Sequence, residues 1–282
     1  MKMLCEFSEE DIKAHEPEMK VGLLATVNPA GKPHISLIST LRANTPTQLI
    51  WGQFAEGMSK DNILQNPRAG WLVLTLDKNI WRGKADFTHT AITGREFEIF
   101  NNMQLFRYNA YFGIHKVYYM DLVHQSGKEP LPMNQVVMAA TKSVIARILS
   151  PEKSEKSVLN NWTRGLIDKL DNLKFLSYVD DDGYPVIIPL IQAQTAGNSE
   201  VVFAVSAYRE EIEKIPTGVT VSFFAMSFSM EDVLLRGTYT GLERRGGVLC
   251  GSMKIDWVYS PMPPVAGQVY PPVEMKPVRD FN

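Results

Sequence analysis

Cysteine is almost missing: Cys5 and Cys250 are the whole supply in 282 residues, and no CxxC pair occurs. That excludes a disulfide scaffold and a zinc site built on paired thiols, and it points to a reducing compartment. Long apolar runs are missing as well. Met1-Lys2-Met3-Leu4-Cys5 meets Glu6, Glu9 and Glu10 at once, too soon for a signal peptide or a spanning helix, so a cytoplasmic protein with no membrane partner is expected. Charge of one sign is not in excess: 29 Lys plus Arg stand against 31 Asp plus Glu, a net charge of -2. No polyanion-binding face follows from that balance, and nucleic acid is not an expected partner. No GxSxG, P-loop or post-strand GxGxxG is present. The histidines His15, His34, His89, His115 and His124 are scattered without ligand spacing, so no metal site is expected.

What is present is ordinary globular material, 45% hydrophobic and 21% charged, in a chain long enough for two cores of roughly 140 residues each. Ser8 ahead of Glu9, Glu10 and Asp11 is an N-cap followed by acidic first-turn residues, which predicts a helix over 8–19. Residues 21–27 read as a buried strand, Asn28-Pro29-Ala30-Gly31 as a turn and Pro33 to Thr40 as the returning strand. Further strands are predicted at 48–53, 70–76, 82–90 and 116–124, with helices at 59–64 and 93–104. Five or six strands with two short helices indicate a small barrel.

The same order recurs later in the chain. Val21 to Val27 is answered by Leu173 to Val179, and Gly31-Lys32-Pro33 by Gly183-Tyr184-Pro185 at an offset of 152. Arg82-Gly83 is answered by Arg236-Gly237 at 154, and Lys116-Val117-Tyr118-Tyr119 by Lys254-Ile255-Asp256-Trp257 at 138. Four matches in order favour a duplicated domain, the falling offset marking a helical insertion that the second copy lacks. Met133 to Leu149 reads as a helix, and the polar run Ser150 to Ser157 with Pro151 as a linker, which places the halves at 1–150 and 151–282. Beyond Trp257, six prolines from Pro261 to Pro277 predict an extended tail without regular structure. The five tryptophans, Trp51, Trp71, Trp81, Trp162 and Trp257, are expected in cores or interfaces.

Residues 20–90 resemble the FMN-binding split barrel of the pyridoxamine 5′-phosphate oxidase-like superfamily. The likeness lies in Gly-Leu-Leu-Ala-Thr-Val at 22–27, Gly31-Lys32-Pro33, His34 to Thr40, Leu49 to Phe54, Ser59-Lys60-Asp61-Asn62-Ile63 and Asn66-Pro67-Arg68, in that order. The resemblance implies a mainly β fold with flanking helices (α+β): two tandem split β-barrels forming an intrachain pseudo-dimer, a homodimer being the other pairing open to it. It implies FMN as cofactor, with the flavin ring against Ser36, Leu37, Ile38, Ser39, Gln53 and Phe54. Family members often place two residues between the lysine and the asparagine, whereas this chain has only Asp61 there.

The loop at Met58-Ser59-Lys60-Asp61-Asn62 also has a direct physical reading. A flavin phosphate is a dianion and asks for a cation, a hydroxyl and backbone N–H groups at a helix start; Ser59, Lys60 and Asn62 supply that set. Asp61 is compatible with it only if its side chain points away. The corresponding segment of the second half, Ser206 to Ile215, carries Glu210, Glu211 and Glu213, so that copy is expected to keep the scaffold without the site. Arg236, Tyr239 and Trp257 are candidate contributors from the second half. The function implied is an oxidoreductase passing electrons or hydride between a reduced nicotinamide and a small acceptor, with no catalytic side chain named. The alternatives are a non-catalytic flavin-binding or sensing module, or the same scaffold holding a deazaflavin or a haem, for which His34 and His124 are the placed ligands.

Overall fold

A computed structural model describes residues 3–53, 55–107, 113–150, 157–262 and 266–274. The first half runs α1 (Glu9–Ala14), β1 (Lys20–Val27), β2 (Pro33–Leu37), β3 (Arg42–Thr45), β4 (Gln48–Gln53), α2 (Met58–Gln65), β5 (Arg68–Thr75), β6 (Asn79–Ala91), α3 (Arg95–Asn101), β7 (Lys116–Gln125) and β8 (Glu129–Pro130). The chain continues through α4 (Met133–Ile148), α5 (Asn161–Asp168), β9 (Leu173–Val179), β10 (Pro185–Pro189), β11 (Gln194–Ala196), β12 (Glu200–Ala204), α6 (Arg209–Ile212), β13 (Thr220–Met226), β14 (Asp232–Arg245), β15 (Val248–Ser260) and β16 (Gly267–Tyr270).

Two eight-stranded sheets share one order. The first is β2-β1-β5-β6-β7-β4-β3 with β8 on β6; the second is β10-β9-β13-β14-β15-β12-β11 with β16 on β15. Adding eight to each strand of the first path gives the second. The fold is therefore mainly β with flanking helices, two tandem split barrels, as the repeat and the resemblance imply.

The repeated residues have local physical causes. Gly31 and Gly183 both take left-handed backbone, φ 72° and 82°, where a side chain is strained. Each closes an equivalent turn: Gly31 N donates to Asn28 O at 2.9 Å, and Gly183 N to Asp180 O at 2.8 Å. Gly83 and Gly237 serve a different need. A Cβ on Gly83 would collide with the His124 carbonyl oxygen, and one on Gly237 with that of Lys254. This pair also corrects the fourth match. Lys254 answers His124, not Lys116, so β7 and β15 do correspond but in another register. Similar apolar and aromatic residues recur along both strands, and such a pattern does not set register by itself.

The chain packs as two compact units, one of Met1–Gln135 with Phe175–Pro189, the other of Val136–Lys174 with Leu190–Asn282. In the first unit a core of Leu24, Trp51, Ile63, Trp71, Trp81, Tyr118 and Met120 fills the barrel. The hairpin segment 175–189 belongs to this unit, β10 touching β1, β5 and β6. Lys84 Nζ donates to Asp180 at 3.1 Å and Asp182 at 2.6 Å. Arg68 donates to the Asp182 carbonyl at 3.0 Å, and Tyr184 OH to Asp86 at 2.8 Å.

Several elements depart from expectation. The leading helix has its Ser8 capping box but stops at Ala14, because Pro17 disfavours helical backbone at Glu16. The returning strand ends at Leu37: Ile38 N turns back to Gly22 O, and Leu41 N closes on Ile38 O. The helix expected over 93–104 is confined to Arg95–Asn101. The proline-rich tail is not without structure, since its proline-free stretch Gly267–Tyr270 pairs with β15, which itself runs to Ser260. Residues 151–156 of the expected linker lie outside the described residues.

Candidate functional site

The candidate site of the first unit lies where α2 meets β1 and β2. Gly57 precedes the helix and caps it with no side chain; its carbonyl accepts from Lys60 N at 3.1 Å, so it is the N–H groups of Met58 and Ser59 that face an outside acceptor. Two side chains seat the helix. Ile63 enters the barrel core beside Leu24, Trp51 and Trp71, and Asn62 Nδ2 donates to Thr26 Oγ1 at 3.1 Å. Asn62 is thus engaged in fixing α2 to β1. Thr26 is also directly opposite His34 on β2, and both are buried.

Ser59, the second residue of the helix, is 1% exposed, and its Oγ has no hydrogen-bond partner. Lys60 is half-buried, its ammonium 5.9 Å from the centre of the Trp51 ring. Burial holds the Lys60 pKa below the ordinary lysine value, against the opposing pull of Glu56 and Asp61. Asp61 itself is exposed. An uncapped helix start, a buried hydroxyl with an unused hydrogen bond and a partly desolvated ammonium form a donor set that fits a phosphate.

Beside this set, Gln53 at the end of β4 is buried; it accepts from Tyr118 OH at 2.9 Å and donates to Glu56 at 2.8 Å. Tyr118 stacks on Trp51 with ring centres 3.9 Å apart. Burial, helped by Glu56 and Asp61, pushes its hydroxyl up to about 12. Among the expected ring contacts, Ser36 and Leu37 lie half-buried on β2, opposite Leu24 and Leu23. Ile38 and Ser39 lie in the turn beyond it. Met58 opens α2 half-buried, and Phe54 lies outside the described residues. Sequence reasoning missed Thr26, whose one signal was a hydroxyl in the apolar run Leu23 to Val27, and the Trp51–Tyr118 stack.

The second barrel carries a different loop. There α6 is a single turn, Arg209–Ile212, entered through left-handed Tyr208, with Glu210 and Glu211 in its first turn. Arg209 is tied to Glu213 at 2.7 Å. Of the candidate contributors, Arg236 and Tyr239 are buried and Trp257 is half-buried. His124 is buried on β7, and burial followed by Lys84 lowers its pKa. Among the described residues no three His, Cys, Asp or Glu side chains gather as a metal cluster.

No family model matches this chain, and no curated protein matches it in sequence. Solved structures with a similar backbone include an FMN-binding protein from Syntrophomonas wolfei, 17% identical, covering 43% of this chain and 83% of its own with a TM-score of 0.35. A candidate pyridoxamine 5′-phosphate oxidase from Lactobacillus delbrueckii is 15% identical over 45% of this chain and 100% of its own, TM-score 0.36. An F420 reductase is 16% identical over 43% and 98%, TM-score 0.35.

Proposed function

We propose that the chain is an FMN-binding flavoprotein that passes electrons or hydride between a reduced nicotinamide and a small acceptor, with its flavin site in the half spanning 1–150. The observation that carries this reading is the buried, unpartnered Ser59 hydroxyl at the uncapped start of α2, beside a partly desolvated Lys60. Ser59 Oγ, the first N–H groups of α2 and Lys60 would hold the phosphate, while Asn62 and Thr26 keep the helix in place. Ser36, Leu37, Ile38, Ser39 and Gln53 would border the ring, with Gln53 oriented by Tyr118 and Glu56, and Met58 would open the phosphate loop. A bound flavin supplies the redox chemistry; the chain supplies binding, orientation and exclusion of water. Charge-assisted hydrogen bonds contribute about 1.5–3 kcal/mol each, so two or three provide much of the roughly 8 kcal/mol of micromolar binding.

Lys60→Ala is expected to weaken FMN about tenfold, corresponding to roughly 1.4 kcal/mol, in a flavin fluorescence titration; unchanged affinity removes the loop from the site. For the activity, anaerobic mixing with reduced nicotinamide should bleach the flavin absorbance. Bleaching by dithionite alone would reduce the function to binding.

A further inference from the structure

We infer that the second unit holds a separate anion site, in which Arg236 takes the carboxylate of a small organic acid. Ser222 on β13, Arg236 on β14 and Trp257 on β15 are directly opposed across three neighbouring strands. Such residues project to one face of a sheet. The Arg236 guanidinium lies 4.2 Å from the centre of the Trp257 ring. Arg236 is 6% exposed, yet its Nε and Nη2 have no hydrogen-bond partner, and neither does the fully buried Ser222 Oγ. Nε–H and Nη2–H point the same way from one edge of the guanidinium, the fork that takes two oxygens of a carboxylate.

The matching arginine of the first barrel engages protein partners through both of its terminal nitrogens. Arg82 Nη2 meets Glu129 at 3.4 Å, and Nη1 donates to Ile187 O at 3.4 Å. Among the described residues Arg236 has neither kind of partner; exposed Asp256 acts on it only through space. One cation with an anion nearby favours a monoanion over a dianion. A planar carboxylate in the guanidinium plane also continues the stack on Trp257, so an aromatic or conjugated acid suits the site best. Trp257 is the cover: its ring is half-buried and its indole N–H is tied to Gln268 on β16 at 2.9 Å.

The test is titration of the full chain with benzoate, followed by tryptophan fluorescence and thermal midpoint, with inorganic phosphate as the second probe. Benzoate should bind saturably and raise the midpoint, with phosphate at least tenfold weaker. Arg236→Lys keeps the charge but removes the fork, and should weaken benzoate at least tenfold. Arg236→Met should leave the midpoint of the free protein equal to or above wild type, because an unpaired buried charge is gone. The inference is overturned by unsaturable benzoate, by phosphate binding as well as benzoate, or by full benzoate affinity in Arg236→Lys. A fall in FMN affinity in Arg236→Lys would assign the arginine to the flavin site, and a lowered midpoint in Arg236→Met would make it a structural strut; either result also overturns it.

Discussion

Lys60 shows how one residue links burial to binding. Its folded pKa is lowered chiefly by burial, so the charged form is disfavoured until an anion arrives. A phosphate restores the charge, and binding takes up a proton wherever the free lysine is neutral. FMN affinity should therefore fall as pH rises through the free Lys60 titration, and Lys60→Met should flatten that fall in a fluorescence titration across pH. His15 runs the other way with respect to acid. Its ring is fully buried and Nδ1 accepts from Ala43 N at 3.3 Å. Burial, then Lys20 and Arg42, lower its pKa from 6.5 to about 3, with Asp11 opposing. The unfolded chain takes the proton first, so stability falls as pH drops below 6.5, by about 3 kcal/mol at roughly pH 4.5. Urea unfolding across that range should show this slope in wild type and lose most of it in His15→Asn. At this scale the sequence pointed to Ser59 and Lys60 as candidates because a phosphate asks for a hydroxyl and a cation at a helix start; Asn62, expected beside them, is instead engaged with Thr26. Thr26 was not legible, since its bond to Asn62 spans 36 residues and no local pattern records it.

Between neighbouring strands and turns, glycine carries the duplication. Gly83→Ala and Gly237→Ala each press a methyl onto a facing carbonyl, and each should cost about 1–3 kcal/mol in chemical unfolding. Gly31→Ala meets no neighbouring atom but keeps a φ of 72°, for a loss of about 1 kcal/mol. The hairpin within 175–189 offers a second test. Asp180 and Asp182 answer buried Lys84 from partly exposed positions, so the double change to asparagine should destabilise by roughly 1–2 kcal/mol after allowance for solvent screening. Strands β1, β4 and β9 were readable because their apolar runs are bounded by turn residues. The short strands β3, β8 and β16 were not, because what defines Arg42–Thr45, Glu129–Pro130 and Gly267–Tyr270 is a distant partner strand rather than their own composition.

For the molecule as a whole, one strand order written twice in a single chain now carries unequal chemistry. The first copy places a lysine, an unpartnered serine and an uncapped eight-residue helix together, whereas the second has a single acidic turn in the equivalent place. Repeat spacing made the duplication legible; the register of β7 and β15 was not, because it is set by the facing strands rather than by their own composition. The most direct test of a flavin site in one copy only is the visible spectrum of purified chain after FMN loading and desalting, with released cofactor quantified against protein. The expected result is a flavin spectrum with about one FMN per chain at micromolar affinity or better. A chain that stays colourless after loading, or one that retains two FMN, would contradict it.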